Sequence, residues 1–215
     1  MNPGRQDPSP VAVTVGDLPE RWPVISSTER VRGRIITVRT DSVRMPDGHV
    51  AEREVVDHPG AVAVAALDTC ERLLMIRQYR HPAGRLLWEL PAGLRDVDGE
   101  PLLATAMREL AEETGYRARD WHVLADYFSS PGITTERLRI FLARGLERIP
   151  DTDRHFVPEH EEAHLLLGWV PLGDAVAGVL AGELHNGVAV TGILAAHAAR
   201  ARGFAALRPA DAPET

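Results

Sequence analysis

The chain has 215 residues, 31 acidic and 24 basic side chains and a net charge of −7, and every basic side chain is an arginine. Without lysine it cannot form a Schiff base, anchor pyridoxal phosphate or use a P-loop lysine, and its acidic balance argues against a general nucleic-acid or anionic-membrane binder. Arginine can still grip phosphates and carboxylates through its planar fork, but it does not readily serve as a base.

Residues 1–27 carry Pro3, Pro8, Pro10, Pro19 and Pro23 without periodicity, which predicts an extended, flexible arm. Met1-Asn2-Pro3-Gly4-Arg5 lacks the apolar stretch of a signal peptide, and no later segment offers roughly 18 uninterrupted apolar residues, so a cytoplasmic protein is expected. Order is expected to begin near Thr28, and residues 28–58 read as a β-hairpin or small sheet broken at Met45-Pro46-Asp47-Gly48. A second β set follows in Ala61 to Leu67, Arg72 to Tyr79 and Leu86 to Leu90. Cys70 lies in the turn Asp68-Thr69-Cys70-Glu71; as the single cysteine it excludes an intrachain disulfide and a cysteine-based metal site.

A helix is predicted from Pro101 to Thr114, with Pro101 at its first position, Gly115 as its cap and Leu103, Ala106, Met107 and Leu110 as its apolar stripe. Trp121 to Phe128 and Leu138 to Leu146 read as strands around the turn Ser129-Ser130-Pro131-Gly132, and a polar loop spans Pro150 to Glu162. Leu165 to Val170 returns to β, Leu172 to Ala181 and Val188 to Arg202 read as helices, and the tail at 206–215 reads as loose. Strands flanking an internal helix, with further helices at the end, indicate an α+β layered domain over residues 59–205.

The helix carries the chemistry. Glu109, Glu112 and Glu113 stand three and four residues apart, so their carboxylates share one face, roughly opposite Leu103, Met107 and Leu110. Like charges there repel unless a cation joins them, and oxygen ligands without histidine or cysteine suit magnesium or manganese. Arg108, four residues before Glu112, can hold one carboxylate by a forked hydrogen bond. By itself, a Glu-rich helix face is usually just a solvated surface. Here nine defined positions between Gly93 and Tyr116, each met by chance roughly once in fifteen on average composition, point away from accident.

Gly93, Glu100 and Arg108-Glu109-Leu110-Ala111-Glu112-Glu113-Thr114-Gly115-Tyr116 resemble the signature of the Nudix hydrolase family, with six residues instead of five between Gly93 and Glu100. The resemblance implies an α/β/α sandwich with a mixed sheet. It implies Glu109 and Glu113 as principal metal ligands, with Glu112 and the Ala92 carbonyl beside them, and hydrolysis of a nucleoside diphosphate linked to another group. Pro131 falls 16 residues beyond Gly115 (131 − 115), a spacing similar to that of the ADP-ribose pyrophosphatase branch. In that branch Arg53 and Glu54 would approach the adenosine part and Arg80 a phosphate, with Leu94, Gly132 and Ile133 as further substrate contacts. Residues 28–58 would be exchanged across a homodimer. The implied reaction is Mg²⁺-dependent hydrolysis of ADP-ribose to AMP and ribose 5-phosphate, with Mn²⁺ as a possible substitute. Another nucleoside diphosphate sugar as substrate, or a non-catalytic nucleotide-binding regulator, are the alternatives.

The general base, and a possible further metal ligand, is expected in the loop Pro158-Glu159-His160-Glu161-Glu162-Ala163, with Glu162 as first choice and Glu161 as second. His160-Glu161-Glu162-Ala163-His164 also satisfies the zinc-protease pattern His-Glu-x-x-His. That motif needs a helix interior, whereas Pro158 precedes it and a strand-like run from Leu165 follows it.

Overall fold

In the computed structural model, which describes residues 15–150, 152 and 165–214, β-branched segments at the N-terminal end form β1 (Val24–Arg32), β2 (Thr37–Arg44) and β3 (Val50–Asp57). They make an antiparallel sheet in the order β1-β2-β3. Gly48, at φ 87, lets the chain close between β2 and β3, where the Met45 N–H donates to the His49 carbonyl (2.7 Å). The sheet starts earlier than the composition suggests. Val24 pairs with Val43, because cross-strand partners order a segment whose own sequence has little periodicity. Every residue of β1 is exposed.

The rest of the chain forms β4 (Ala61–Ala66), β5 (Arg72–Arg80), β6 (Arg85–Glu89), β7 (Ala92–Leu94), α1 (Leu102–Thr114), β8 (Tyr116–Arg117), β9 (Asp120–Phe128), β10 (Arg137–Arg144), β11 (Glu147–Arg148), β12 (Leu166–Pro171), α2 (Leu172–Leu180), α3 (Gly187–Arg200) and β13 (Arg208–Pro209). A five-stranded sheet runs β13-β9-β10-β4-β7, with β12-β5-β6 as a second sheet and β11-β8 as a short ribbon. The five-stranded sheet is mixed, since β10 and β4 run parallel while its other pairs are antiparallel.

Alternation along the central strands divides the core. Val62, Val64, Phe141 and Ala143 face α1 through Ala106 and Leu110, while Ala63, Ala65, Ile140 and Leu142 face α2 and α3 through Leu172, Ala175, Ala189 and Ile193. A strand buried on both faces reads as a continuous apolar run, which is why Ala61 to Ala66 carries no polar residue. The result is α/β/α layering, the expected α+β class.

Two further expectations are corrected. Met107 is 42% exposed; the core face of α1 turns instead toward Leu102, Leu103, Ala106 and Leu110. The tail is ordered from Arg208, because β13 pairs with the open edge of β9 (Arg208 with Val123, Pro209 with His122). Among the described residues no helix is long and apolar enough to cross a membrane.

Candidate active site

The one-residue excess between Gly93 and Glu100 is taken up in a turn, where Gly99 adopts φ 74 with open space around it and the Glu100 N–H donates to the Val97 carbonyl (3.2 Å). The chain then enters α1 at Leu102, and Gly115, at φ 71, closes the helix through its N–H to the Ala111 carbonyl. Within this frame Arg108 gathers the carboxylates. Its Nη1 donates to Glu109 Oε1 (2.8 Å) and Glu112 Oε2 (3.2 Å), and its Nη2 donates to Glu100 Oε2 (3.3 Å). Thr105 Oγ1 also donates to Glu100 Oε2 (2.9 Å).

Gly93 explains why the helix can sit so close to the sheet edge. A Cβ at this position would fall onto the carboxyl carbon and Oε1 of Glu109, so any side chain there would displace that carboxylate. The next carboxylate is tied to the same strand, since the Ala92 N–H donates to Glu113 Oε2 (2.9 Å). Leu94 ends β7, half-buried and paired with Ala61.

Burial pushes the Glu109 carboxyl above its usual range; Arg108 pulls the other way and Glu112 adds to the rise. Glu100 moves the other way, held below the usual range by its hydrogen bonds from Arg108 and Thr105. Among the described residues no three His, Cys, Asp or Glu side chains converge closely enough to hold a metal ion: Arg108 holds Glu109 and Glu112, while the Ala92 N–H holds Glu113. The donor set nevertheless fits a divalent cation. It consists of hard oxygens, from acidic side chains on one helix, against a glycine-lined strand that leaves room for the Glu109 carboxylate.

A second feature lies at the junction with the N-terminal sheet. The Val56 N–H donates to the Ile133 carbonyl (2.8 Å) and the Thr135 N–H to the Val56 carbonyl (3.0 Å), so the loop after Pro131 docks on β3. Between them lies a cavity of about 680 Å³ lined by Arg30, Thr40, Glu52, Arg53, Glu54, Gly132 and Ile133. Arg30 Nε donates to Thr40 Oγ1 (3.0 Å) and Arg53 Nη1 to the Glu52 carbonyl (2.8 Å). Four expected substrate residues, Arg53, Glu54, Gly132 and Ile133, thus meet around one opening although they are about 80 positions apart in sequence.

The NUDIX domain matches residues 57–188 and a nucleoside diphosphate sugar hydrolase N-terminal domain matches residues 22–56. The chain belongs to the Nudix family. An ADP-ribose pyrophosphatase of Mycobacterium tuberculosis is 48% identical over 187 residues, covering 87% of this chain and 88% of that protein. An ADP-ribose pyrophosphatase of Bacillus subtilis is 38% identical over 162 residues, covering 75% and 85%. In fold, the chain resembles a crystal structure of an ADP compounds hydrolase, with a TM-score of 0.72 at 20% identity, over 87% of this chain and 99% of that one.

As a Nudix hydrolase, the protein places its remaining expected residues unevenly. Arg80 ends β5 with its guanidinium forked onto the buried Glu89 (Nε to Oε1 2.9 Å, Nη2 to Oε2 2.7 Å), and Gln78 Nε2 also donates to Glu89 Oε2 (3.2 Å). Arg80 thus pairs with an internal carboxylate while its side chain stays 44% exposed, a pairing invisible in sequence because it crosses from β5 to β6. Glu161, Glu162 and the His160 to His164 pattern lie outside the described residues. Residues absent from the sequence reading are Arg30, Thr40 and Glu52, which reach the cavity through strand pairing; only the mix of arginine and glutamate along β1 and β3 hinted at them.

Proposed function

We propose that this Nudix hydrolase cleaves the diphosphate bond of ADP-ribose, giving AMP and ribose 5-phosphate. The cavity between β3 and the Gly132-Ile133 loop carries the reading, supported by the high identity to an ADP-ribose pyrophosphatase over most of both chains. It offers an apolar side chain, Ile133, for the flat face of a base, and the carboxylates of Glu52 and Glu54 for amino or hydroxyl donors. Arg30 and Arg53 supply the cationic forks that the lysine-free composition demands.

Glu109, Glu112, Glu113 and the Ala92 carbonyl would hold a divalent cation, Mg²⁺ in our reading, with Mn²⁺ as a substitute. When bound, such a cation neutralises the diphosphate and acidifies the attacking water. Arg108 keeps the glutamates in register, Gly93 leaves space for Glu109, and Glu162 takes the proton from water. One phosphorus gains the water oxygen as its bond to the bridging oxygen breaks, and the bridging oxygen leaves with the other phosphate.

A panel of nucleoside diphosphate compounds tests the substrate: ADP-ribose is expected to give the highest kcat/KM. Preference for a UDP- or GDP-sugar would replace ADP-ribose by another nucleoside diphosphate sugar, and tight binding of ADP-ribose without turnover would establish a regulator instead. In the same assay Glu162→Gln is expected to lose more activity than Glu161→Gln, and the reverse order would transfer the role to Glu161.

The assembly is proposed to be a cytoplasmic homodimer formed through the N-terminal sheet. Val24, Ile25 and Val31 on β1 are each at least half exposed, a run of apolar surface that a second copy would cover. Light scattering is expected to give twice the chain mass of 23.5 kDa. A monomer would overturn this assembly.

A further inference from the structure

The C-terminal residues pass from the β9 edge of the five-stranded sheet over β10, where the side chain of Arg95 reaches them from beyond β7. The sheet order, β13-β9-β10-β4-β7, puts β13 on one edge and β7, the strand beneath the carboxylate helix, on the other. Four inter-strand steps span about 19 Å. The chain turns directly after Pro209, where the Ala212 N–H donates to the Pro209 carbonyl (3.0 Å), and the side chains of Glu214 and Arg95 close the remaining gap.

Contacts along this path are specific. At the start, Arg208 Nη1 donates to Asp126 Oδ2 (2.9 Å). In the middle, the buried guanidinium of Arg139 on β10 is forked onto Asp126 and spends its remaining reach on the tail, donating to the carbonyls of Ala212 (2.6 Å) and Pro213 (3.1 Å). Ala210 and Ala212 pack into the same apolar cluster as Ala106 and Leu110 of α1. At the end, Glu214 accepts from Arg95 Nη1 (3.3 Å) and lies 3.8 Å from Arg137 Nε.

Arg95 is where the tail meets the site. It stands two residues after Gly93, at the start of the loop that leads into α1. Its backbone N–H donates to the Gly60 carbonyl (3.1 Å), and its Cδ lies close over Gly60, where a Cβ would approach it to 3.2 Å. Beyond β7, which has only three paired residues, this anchor and the Arg108 network hold the loop.

We propose that residues 208–214 form a strap, and that Glu214, through Arg95, is a positioning residue that keeps β7 registered against Glu109 and Glu113. The inference rests on the proposed cation site of the Nudix box. The strap acts at the strand from which the Ala92 N–H holds Glu113 and against which Glu109 is seated.

The experiment uses the full chain bearing Glu214→Gln, Arg95→Gln, both together, or Glu214→Asp. Backbone amide exchange over residues 94–99 is read without metal or substrate, and Mg²⁺ binding is read by calorimetry without substrate. Each Gln variant is expected to speed exchange in this loop and to weaken Mg²⁺ binding about fivefold, the scale of one partly exposed ion pair. The double variant should be no worse than either single one, and Glu214→Asp should recover most of the binding.

Additive losses, unchanged exchange, or faster exchange with unchanged Mg²⁺ binding would each overturn the positioning role. If wild-type protein binds no Mg²⁺ while the Gln variants still speed exchange, the cation-site reading fails and the positioning role fails with it, leaving the strap a purely structural element. Exchange is independent of catalysis, so the two failures are told apart.

Discussion

Glu113→Gln is expected to lower kcat/KM by roughly a hundredfold or more, the consequence of removing about 3 kcal/mol of charge stabilisation from a metal-assisted displacement. Its melting temperature should stay near that of the wild type, because Glu113 is only partly buried and the core face of α1 is made by Leu102, Leu103, Ala106 and Leu110. The amide of glutamine can still accept from the Ala92 N–H, so the strand contact survives while the charge does not. Steady-state turnover of ADP-ribose with Mg²⁺, set beside thermal denaturation of the same samples, checks both halves. Turnover at the wild-type level would remove Glu113 from the metal site.

Asp126→Asn is expected to cost about 3 kcal/mol of stability, measured by urea denaturation at neutral pH, because it leaves the guanidinium of Arg139 buried without its counter-charge. Arg139 is 3% exposed as a residue, so water cannot replace the lost partner. Burial by itself would raise the Asp126 carboxyl, yet the hydrogen bonds from Arg139 and Arg208 outweigh it and hold the group below the usual aspartate range. A folded-state value below the unfolded one means that this stabilisation is complete above the unfolded value of about 3.9 and is lost as pH falls through the folded value. Wild-type stability should therefore drop as the pH is taken below about 4, and the part of the drop due to this group should vanish in Asp126→Asn. An equally stable variant would show that the tail carbonyls alone satisfy Arg139.

The carboxylate helix was legible because its information is local. Glu109, Glu112 and Glu113 share a face through helical period alone, and Gly115 marks the end because only a residue free to take a left-handed φ closes the helix there. The apolar run Ala61 to Ala66, and Leu73 to Ile76 within the strand expected at Arg72 to Tyr79, were legible for a similar reason: a strand covered on one or both faces needs little polar surface. Even so, local period misplaced Met107, since the angle at which α1 meets the sheet, and not the helix itself, selects the buried stripe.

Long-range pairing lay beyond that reach. Arg80 is expected at a substrate phosphate from the resemblance, and only the pairing of β5 with β6 shows that it also meets Glu89. The tail after Arg208, rich in Ala and Pro, looks loose until the unpaired edge of β9 and the surplus donors of Arg139 are in place to order it. Gly93 reads as a motif letter, and only the approach of Glu109 shows why no side chain fits.

By itself, then, the sequence determined the absence of lysine chemistry, the acidic face of α1 and the alternation of strands and helices, because each depends on neighbours within a few residues. Tertiary structure alone decided which arginines line the cavity and which pair with Glu89 or Asp126. It also decided that Arg30, Thr40 and Glu52 to Glu54 share one opening with Gly132 and Ile133, and that the tail reaches Arg95. These outcomes depend on which strands become neighbours, a matter of closing loops tens of residues long and covering shared apolar faces, and no local pattern encodes it.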